Sequence, residues 1–122
     1  MKSTSFVITN GTRQGSVLSQ LLFSVYLDDL LLELRKLQLG FQIGGCWFGA
    51  LGYADERILL APNREVLLKL LQVCQAYAVE HNLVFSTDPV PSKSKTKCIL
   101  FCGRPSKVQY PDYVKLDGKD LP

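Results

Sequence analysis

Two carboxylates, Asp55 and Glu56, stand side by side in Tyr53-Ala54-Asp55-Glu56, between the apolar runs Phe41–Leu51 and Ile58–Ala61. Adjacent acids on a rigid turn present oxygen ligands to a hard divalent cation, and Mg²⁺ completes such a shell with water and phosphate oxygens. Taken alone, the tetrapeptide is more often an ordinary solvated acidic turn. A second aromatic–X–Asp–Asp, Tyr26-Leu27-Asp28-Asp29, falls in a helical stretch. Adjacent side chains on a helix diverge by about 100° and do not jointly grip one ion, so it reads as a polar helix edge. Asn10-Gly11-Thr12-Arg13-Gln14-Gly15-Ser16 runs into a helix start, where free backbone N–H groups favour anions and Arg13 adds a charge. P-loop spacing is absent from it. Lys93, Lys95 and Lys97 alternate in a loop that suits either phosphate contact or a plain solvated surface.

The elements that must position these residues are legible in part. Ser16 is the expected N-cap of a helix that Gly40 ends. Phe23, Leu27, Leu30, Leu34 and Leu37 share one face of it. Leu18, Leu22 and Val25 form a second apolar face over its first half, which predicts cover on both sides there. Phe41–Leu51, with Gly44-Gly45 inside, reads as a strand with a bulge or bend, paired across the acidic turn with Ile58–Ala61. Asn63 caps a second helix with Glu65 in its first turn, a stripe of Val66, Leu67, Leu70, Leu71, Cys74, Tyr77 and Ala78, and an end at His81-Asn82. Phe6-Val7-Ile8 and Leu83-Val84-Phe85 read as brief extended runs, and Cys98–Cys102 as a buried strand ended by Gly103. Val108-Gln109-Tyr110 and Tyr113-Val114-Lys115-Leu116 read as short edge strands before Asp117-Gly118.

At 122 residues the chain is one domain, and 47% hydrophobic with 20% charged residues excludes a wholly disordered chain. A net charge of +3 is too small an excess to argue nucleic-acid binding. Cys46, Cys74, Cys98 and Cys102 form no C-x-x-C pair, and His81 is the single histidine, which argues against zinc; the even count permits two disulfides, but the absence of a signal peptide favours buried, reduced thiols. With no signal peptide and no run of the roughly eighteen apolar residues a membrane span requires, the expectation is an intracellular protein, cytoplasmic or nuclear, with no membrane partner.

In combination the motifs say more. Gly11-x-x-Gln14-Gly15-x-x-x-Ser19-x-Leu21-Leu22-Phe23 at a helix start, Tyr53-Ala54-Asp55-Glu56 in a hairpin and Lys95-Thr96-Lys97 before an apolar run resemble the palm of reverse transcriptases. The similarity is to the non-LTR (LINE-type) retrotransposon enzymes, and it extends to Val114-Lys115-Leu116-Asp117-Gly118 and Leu121-Pro122. It implies an α+β fold: a partial polymerase palm, ferredoxin-like βαββαβ lacking its first strand, with two helices packed on a small antiparallel sheet. Residues 1–122 would form a single partial palm domain, with 103–122 starting the following thumb-side hairpin.

The resemblance also implies roles. Asp55 and Glu56 would be the catalytic Mg²⁺ ligands, with Tyr53 and Ala54 beside the primer terminus. Gln14 and Gly15 would lie against the incoming nucleotide and template, Arg13 near phosphate. Lys95, or Lys97 if the loop shifts by two, would approach the nucleotide's phosphates. The implied partners are an RNA template, a DNA primer, deoxynucleoside triphosphates and the missing remainder of the polymerase. The implied reaction is attack of the primer 3′-hydroxyl on the nucleotide α-phosphate.

Three residues depart from the family pattern. Glu56 stands for a second Asp, Gln20 for a proline, and Arg57 for an aliphatic residue. A further aspartate that the family carries on a strand before the Gln-Gly motif has no counterpart between Met1 and Gln14. The expectation is therefore a reverse transcriptase fragment that is inactive as this isolated chain, marginally stable, with unpaired strand edges. The alternatives are a non-catalytic nucleic-acid- or protein-binding scaffold derived from a retrotransposon, and a translated relic.

Overall fold

In the computed structural model, residues 15–88, 90, 92–101, 114–116 and 118–121 are described. The Leu-rich segment after Gly15 forms α1 (Val17–Lys36). Ser16 holds the N-cap position, though its side chain makes no capping hydrogen bond. The helix ends earlier than Gly40. Leu37 is the C-cap and Gln38 turns left-handed at φ 52°, its N–H bonded to the Arg35 carbonyl. Gly40 serves a different purpose: a Cβ there would lie 2.5 Å from the Gly49 Cα and 2.9 Å from the Leu60 carbonyl oxygen. It lets the chain pass closely over the following hairpins.

The run expected as one bent strand instead divides. β1 (Gln42–Ile43) and β2 (Cys46–Trp47) pair antiparallel around Gly44-Gly45, and β3 (Ala50–Tyr53) follows. Gly44 and Gly45 have φ of 58° and 79°, the double left-handed conformation that a two-residue hairpin loop demands. A glycine pair that could have made a bulge makes a tight turn. β3 pairs with β4 (Glu56–Leu59) in the hairpin foreseen around the acidic turn. Bonds from Phe41 N–H to the Leu60 carbonyl and from Leu60 N–H to the Gly49 carbonyl tie the two hairpins together.

Asn63 caps α2 (Arg64–Glu80) as expected, its side-chain oxygen accepting from Val66 N–H at 2.9 Å, with Glu65 in the first turn. At the other end Asn82, at φ 53°, closes a Schellman motif. Leu83 N–H reaches the Ala78 carbonyl at 2.8 Å, and Asn82 N–H the Val79 carbonyl at 3.4 Å. Leu27, Leu30 and Leu34 of α1 pack with Ala50 of β3 and Leu70, Cys74 and Tyr77 of α2 as the main core. A smaller core lies beyond α2, where Leu71 meets Leu116 and Leu121. Leu116 lies within, and Leu121 just after, the hairpin of β5 (Lys115–Leu116) and β6 (Lys119–Asp120), turned at Gly118.

The class is α+β; among the described residues there are two helices with small antiparallel ladders, and the pairing is split among three separate hairpins rather than one sheet. Two further expectations change. Leu83-Val84-Phe85 forms no strand, although Leu83 and Phe85 still turn inward onto the core and Val84 outward. Residues 98–101 likewise join no ladder, and Ile99, Leu100 and Phe101 are exposed, not buried. Extended apolar residues become a strand only against a partner edge, and none among the described residues takes them up. Cys102, the run 6–8 and the tail 108–110 lie outside the described residues.

The second face of α1 is also bare, with Leu18 63%, Leu22 58% and Val25 59% exposed. Leu37, expected on the buried face, is exposed because the helix has already ended. Of the thiols, Cys74 is buried, Cys98 half-buried and Cys46 exposed on β2, contrary to the expectation of uniform burial.

Candidate functional site

The β3–β4 ladder pairs Ala50 with Leu59, Leu51 with Ile58, Gly52 with Arg57 and Tyr53 with Glu56, leaving Ala54 and Asp55 as a two-residue loop. Alternation puts Ala50 and Leu59 into the core beside α1, and this anchors the base of the hairpin. Near the tip a Cβ on Gly52 would come 3.0 Å from Leu31 Cδ1, so α1 also supports the hairpin higher up. The tip itself stands in solvent. Tyr53 is 81% exposed, and Ala54, Asp55 and Glu56 are exposed with it.

Ala54 adopts φ 51°, a left-handed conformation that costs a residue with a Cβ about 1–2 kcal/mol. Arg57 braces this loop. Its Nη1 donates to the Ala54 carbonyl at 2.8 Å and to the Glu56 carbonyl at 2.7 Å. The charge that was out of place for a sheet residue is thereby turned back onto the tip, while its Nε stays buried without a partner. Sequence reading flagged Arg57 only as an anomaly. The signal that could have found its use is Gly52 directly across the ladder, which leaves room for the guanidinium.

Among the described residues neither Asp55 nor Glu56 takes part in an ion pair, and no group of three or more metal-ligating side chains converges. Two solvated carboxylates on a braced turn are a donor set that fits Mg²⁺ held partly by water and by substrate oxygens. The other expected site residues are not joined to the hairpin by hydrogen bonds among the described residues. Gly15 lies just before α1 at φ 80°, and Arg13 and Gln14 fall outside the described residues. Lys93, Lys95 and Lys97 are exposed on a loop closed by Thr96 N–H to the Ser86 carbonyl, with Ser94 buried beneath. Asp28 and Asp29 are exposed on α1, as a polar helix edge should be.

An aromatic knot that sequence reading also missed locks α1 to α2. Tyr77 donates its hydroxyl to the Tyr26 carbonyl at 2.6 Å, and Tyr26 donates to the His81 carbonyl at 2.9 Å. His81 stacks on Tyr77 with ring centroids 3.8 Å apart. Its Nδ1, 3.0 Å from the Tyr77 carbonyl, must carry the proton because a carbonyl only accepts. Burial, and after it the nearby Asp29, Tyr26, Glu33 and Glu80, push the Tyr77 phenol above its ordinary pKa. A shallow cavity of about 250 Å³ opens beside the knot, lined in part by Asp29, Glu33, Glu80 and Lys36.

A family profile described as reverse transcriptase (RNA-dependent DNA polymerase) matches residues 1–111. The chain belongs to the reverse transcriptase family. Its curated relatives place it among the non-LTR retrotransposon members. It is 35% identical over 99 residues to the Retrovirus-related Pol polyprotein from type-1 retrotransposable element R2 of Nasonia vitripennis, covering 81% of this chain and 9% of that protein. It is 36% identical over 69 residues to the corresponding polyprotein from type-2 retrotransposable element R2DM of Drosophila melanogaster, covering 57% of this chain and 6% of that protein. The chain therefore spans less than a tenth of the length of these relatives. No solved structure matches it. Among the described residues no helix is long and apolar enough to cross a membrane.

Proposed function

We propose that this chain is a palm segment of a non-LTR reverse transcriptase and that Asp55 and Glu56 are its Mg²⁺ ligands. The observation that carries the reading is the β3–β4 hairpin, which presents both carboxylates to solvent at a two-residue turn with Tyr53 exposed beside them. In this reading Tyr53 and Ala54 flank the primer terminus, Gly15, Gln14 and Arg13 meet template and nucleotide, and Lys95 or Lys97 approaches the nucleotide's phosphates. A bound Mg²⁺ supplies charge neutralisation on the transferring phosphate. The chain's own contribution is to hold the ligands on a hairpin anchored in the α1–α2 core. The finer architecture, a ferredoxin-like palm within 1–122 that leads into a thumb-side hairpin, belongs to the same proposal. The antiparallel β5–β6 pairing supports its last part.

Two-metal transfer uses a further carboxylate, and none converges on Asp55 and Glu56 among the described residues. The 122-residue chain alone is therefore expected to give no primer extension with Mg²⁺, template RNA and nucleotides, and clear extension would overturn that part of the reading. The ligand assignment is tested separately. Mn²⁺ should broaden the NMR signals of Asp55 and Glu56 selectively, and Asp55→Asn should abolish the effect. Broadening that survives Asp55→Asn removes the assignment.

A second reading, a non-catalytic nucleic-acid-binding scaffold, is favoured by one observation. Lys93, Lys95 and Lys97 are displayed on a loop pinned by the Ser86–Thr96 bond. RNA binding that weakens with salt, and is lost when all three lysines become Gln, would support it.

A further inference from the structure

Arg57 is placed to do more than occupy an odd position on a strand. It sits opposite Gly52 in the ladder, and the missing side chain there is what admits its guanidinium. A Cβ on Gly52 would lie 3.3 Å from both the Arg57 Cζ and Nε. Crossing that gap, the side chain turns back along its own strand, and Nη1 reaches the carbonyls on either side of Asp55, at Ala54 and Glu56. The loop so spanned contains Ala54 in its left-handed conformation. The buried, unpartnered Nε shows that the side chain holds this path with one donor unsatisfied.

We infer that Arg57 is the positioning residue of the acidic turn: seated across bare Gly52, it fixes the backbone on both sides of Asp55 and so the geometry of the Asp55–Glu56 pair. The clamp stands on the hydrogen bonds alone. Its consequence for a cation rests on the reading of Asp55 and Glu56 as ligands.

The sign of one effect separates positioning from charge. A guanidinium acting only as a positive charge near two carboxylates repels a cation, so its removal tightens cation binding. A guanidinium that orients the ligands does the opposite, and its removal weakens binding by roughly tenfold, the scale on which outer-shell hydrogen-bond partners act.

The test uses the full chain labelled for NMR. Without any metal, the wild type should show the strong intraresidue HN–Hα cross-peak of a left-handed Ala54. Arg57→Gln should lose it while the methyl signals of Leu30, Leu34 and Leu70 stay put. Gly52→Ala keeps the charge but fills the guanidinium's seat, and it should produce the same loss. Mn²⁺ titration should then show weaker binding in both variants. A persistent Ala54 signature in both variants overturns the clamp, and tighter Mn²⁺ binding in Arg57→Gln overturns the positioning role. If the wild type binds no Mn²⁺ at this turn, the ligand reading fails, and the metal-free Ala54 signature still decides whether Arg57 is a clamp.

Discussion

Ala54 pays for its place in the turn with a backbone conformation that glycine would adopt freely. Ala54→Gly relieves that strain but loosens the unfolded chain, and the two effects leave a net stabilisation of about 0.5–1 kcal/mol. Urea unfolding measures it, and a lower midpoint for the variant would mean that the strain is absent. Cys74 offers a second test. Burial raises its thiol from the ordinary 9.0 to about 11. The folded state thus favours the neutral thiol, so the associated stability is complete below pH 9 and is lost as pH rises through 11. Stability should fall by on the order of 2–3 kcal/mol across that window, and Cys74→Ala should flatten the fall. The Tyr77 phenol, also raised, adds to the loss as pH rises past its ordinary value of 10.0. The exposed turn that carries Asp55 and Glu56 was legible from its neighbours in sequence. The use of Arg57 was not, because it depends on which residue faces it across the ladder.

Both helices were legible from local rules, since their signals sit within a turn of the residues they govern. Asn63 is the clearest case: it caps α2 through its own side chain, and Asn63→Ala should cost about 1 kcal/mol in thermal or urea unfolding. The acidic hairpin was equally readable, as two apolar runs flanking a short polar turn. Gly44-Gly45 was ambiguous because a bulge and a tight turn draw on the same conformational freedom, and only the partner strand decides between them. Residues 98–101 illustrate the limit of apolar composition. Ile99, Leu100 and Phe101 have every local preference for a strand and pair with none of the described residues, since a strand is a relation between segments. The stop of α1 was misread for a similar reason: Gly40 answers to Gly49 and Leu60, distant in sequence, while Gln38 makes the left-handed turn.

On the scale of the whole molecule, the bare face of α1 and the exposed Ile99–Phe101 segment make an unusually apolar surface for a chain of this size. Self-association of the isolated chain should follow. Leu18→Glu combined with Leu22→Glu should reduce it in light scattering without lowering the melting temperature, whereas Leu34→Ala in the core should cost about 2–5 kcal/mol and unfold the chain. Equal loss of stability from the surface pair would show that the face is covered. The two cores, meanwhile, give α2 a double duty. Leu70, Cys74 and Tyr77 bind it to α1, while buried Leu71 and half-buried Leu67 face the β5–β6 hairpin, with Leu59, Phe85 and Cys98 beside them. That hairpin contributes two short strands and a closing bond from Leu121 N–H to the Val114 carbonyl. With so short a ladder, it is expected to open before the helices do. Amide exchange should divide the protein into two opening units, with the Leu121 amide released at a lower free energy than the helical amides of Leu30 and Leu70.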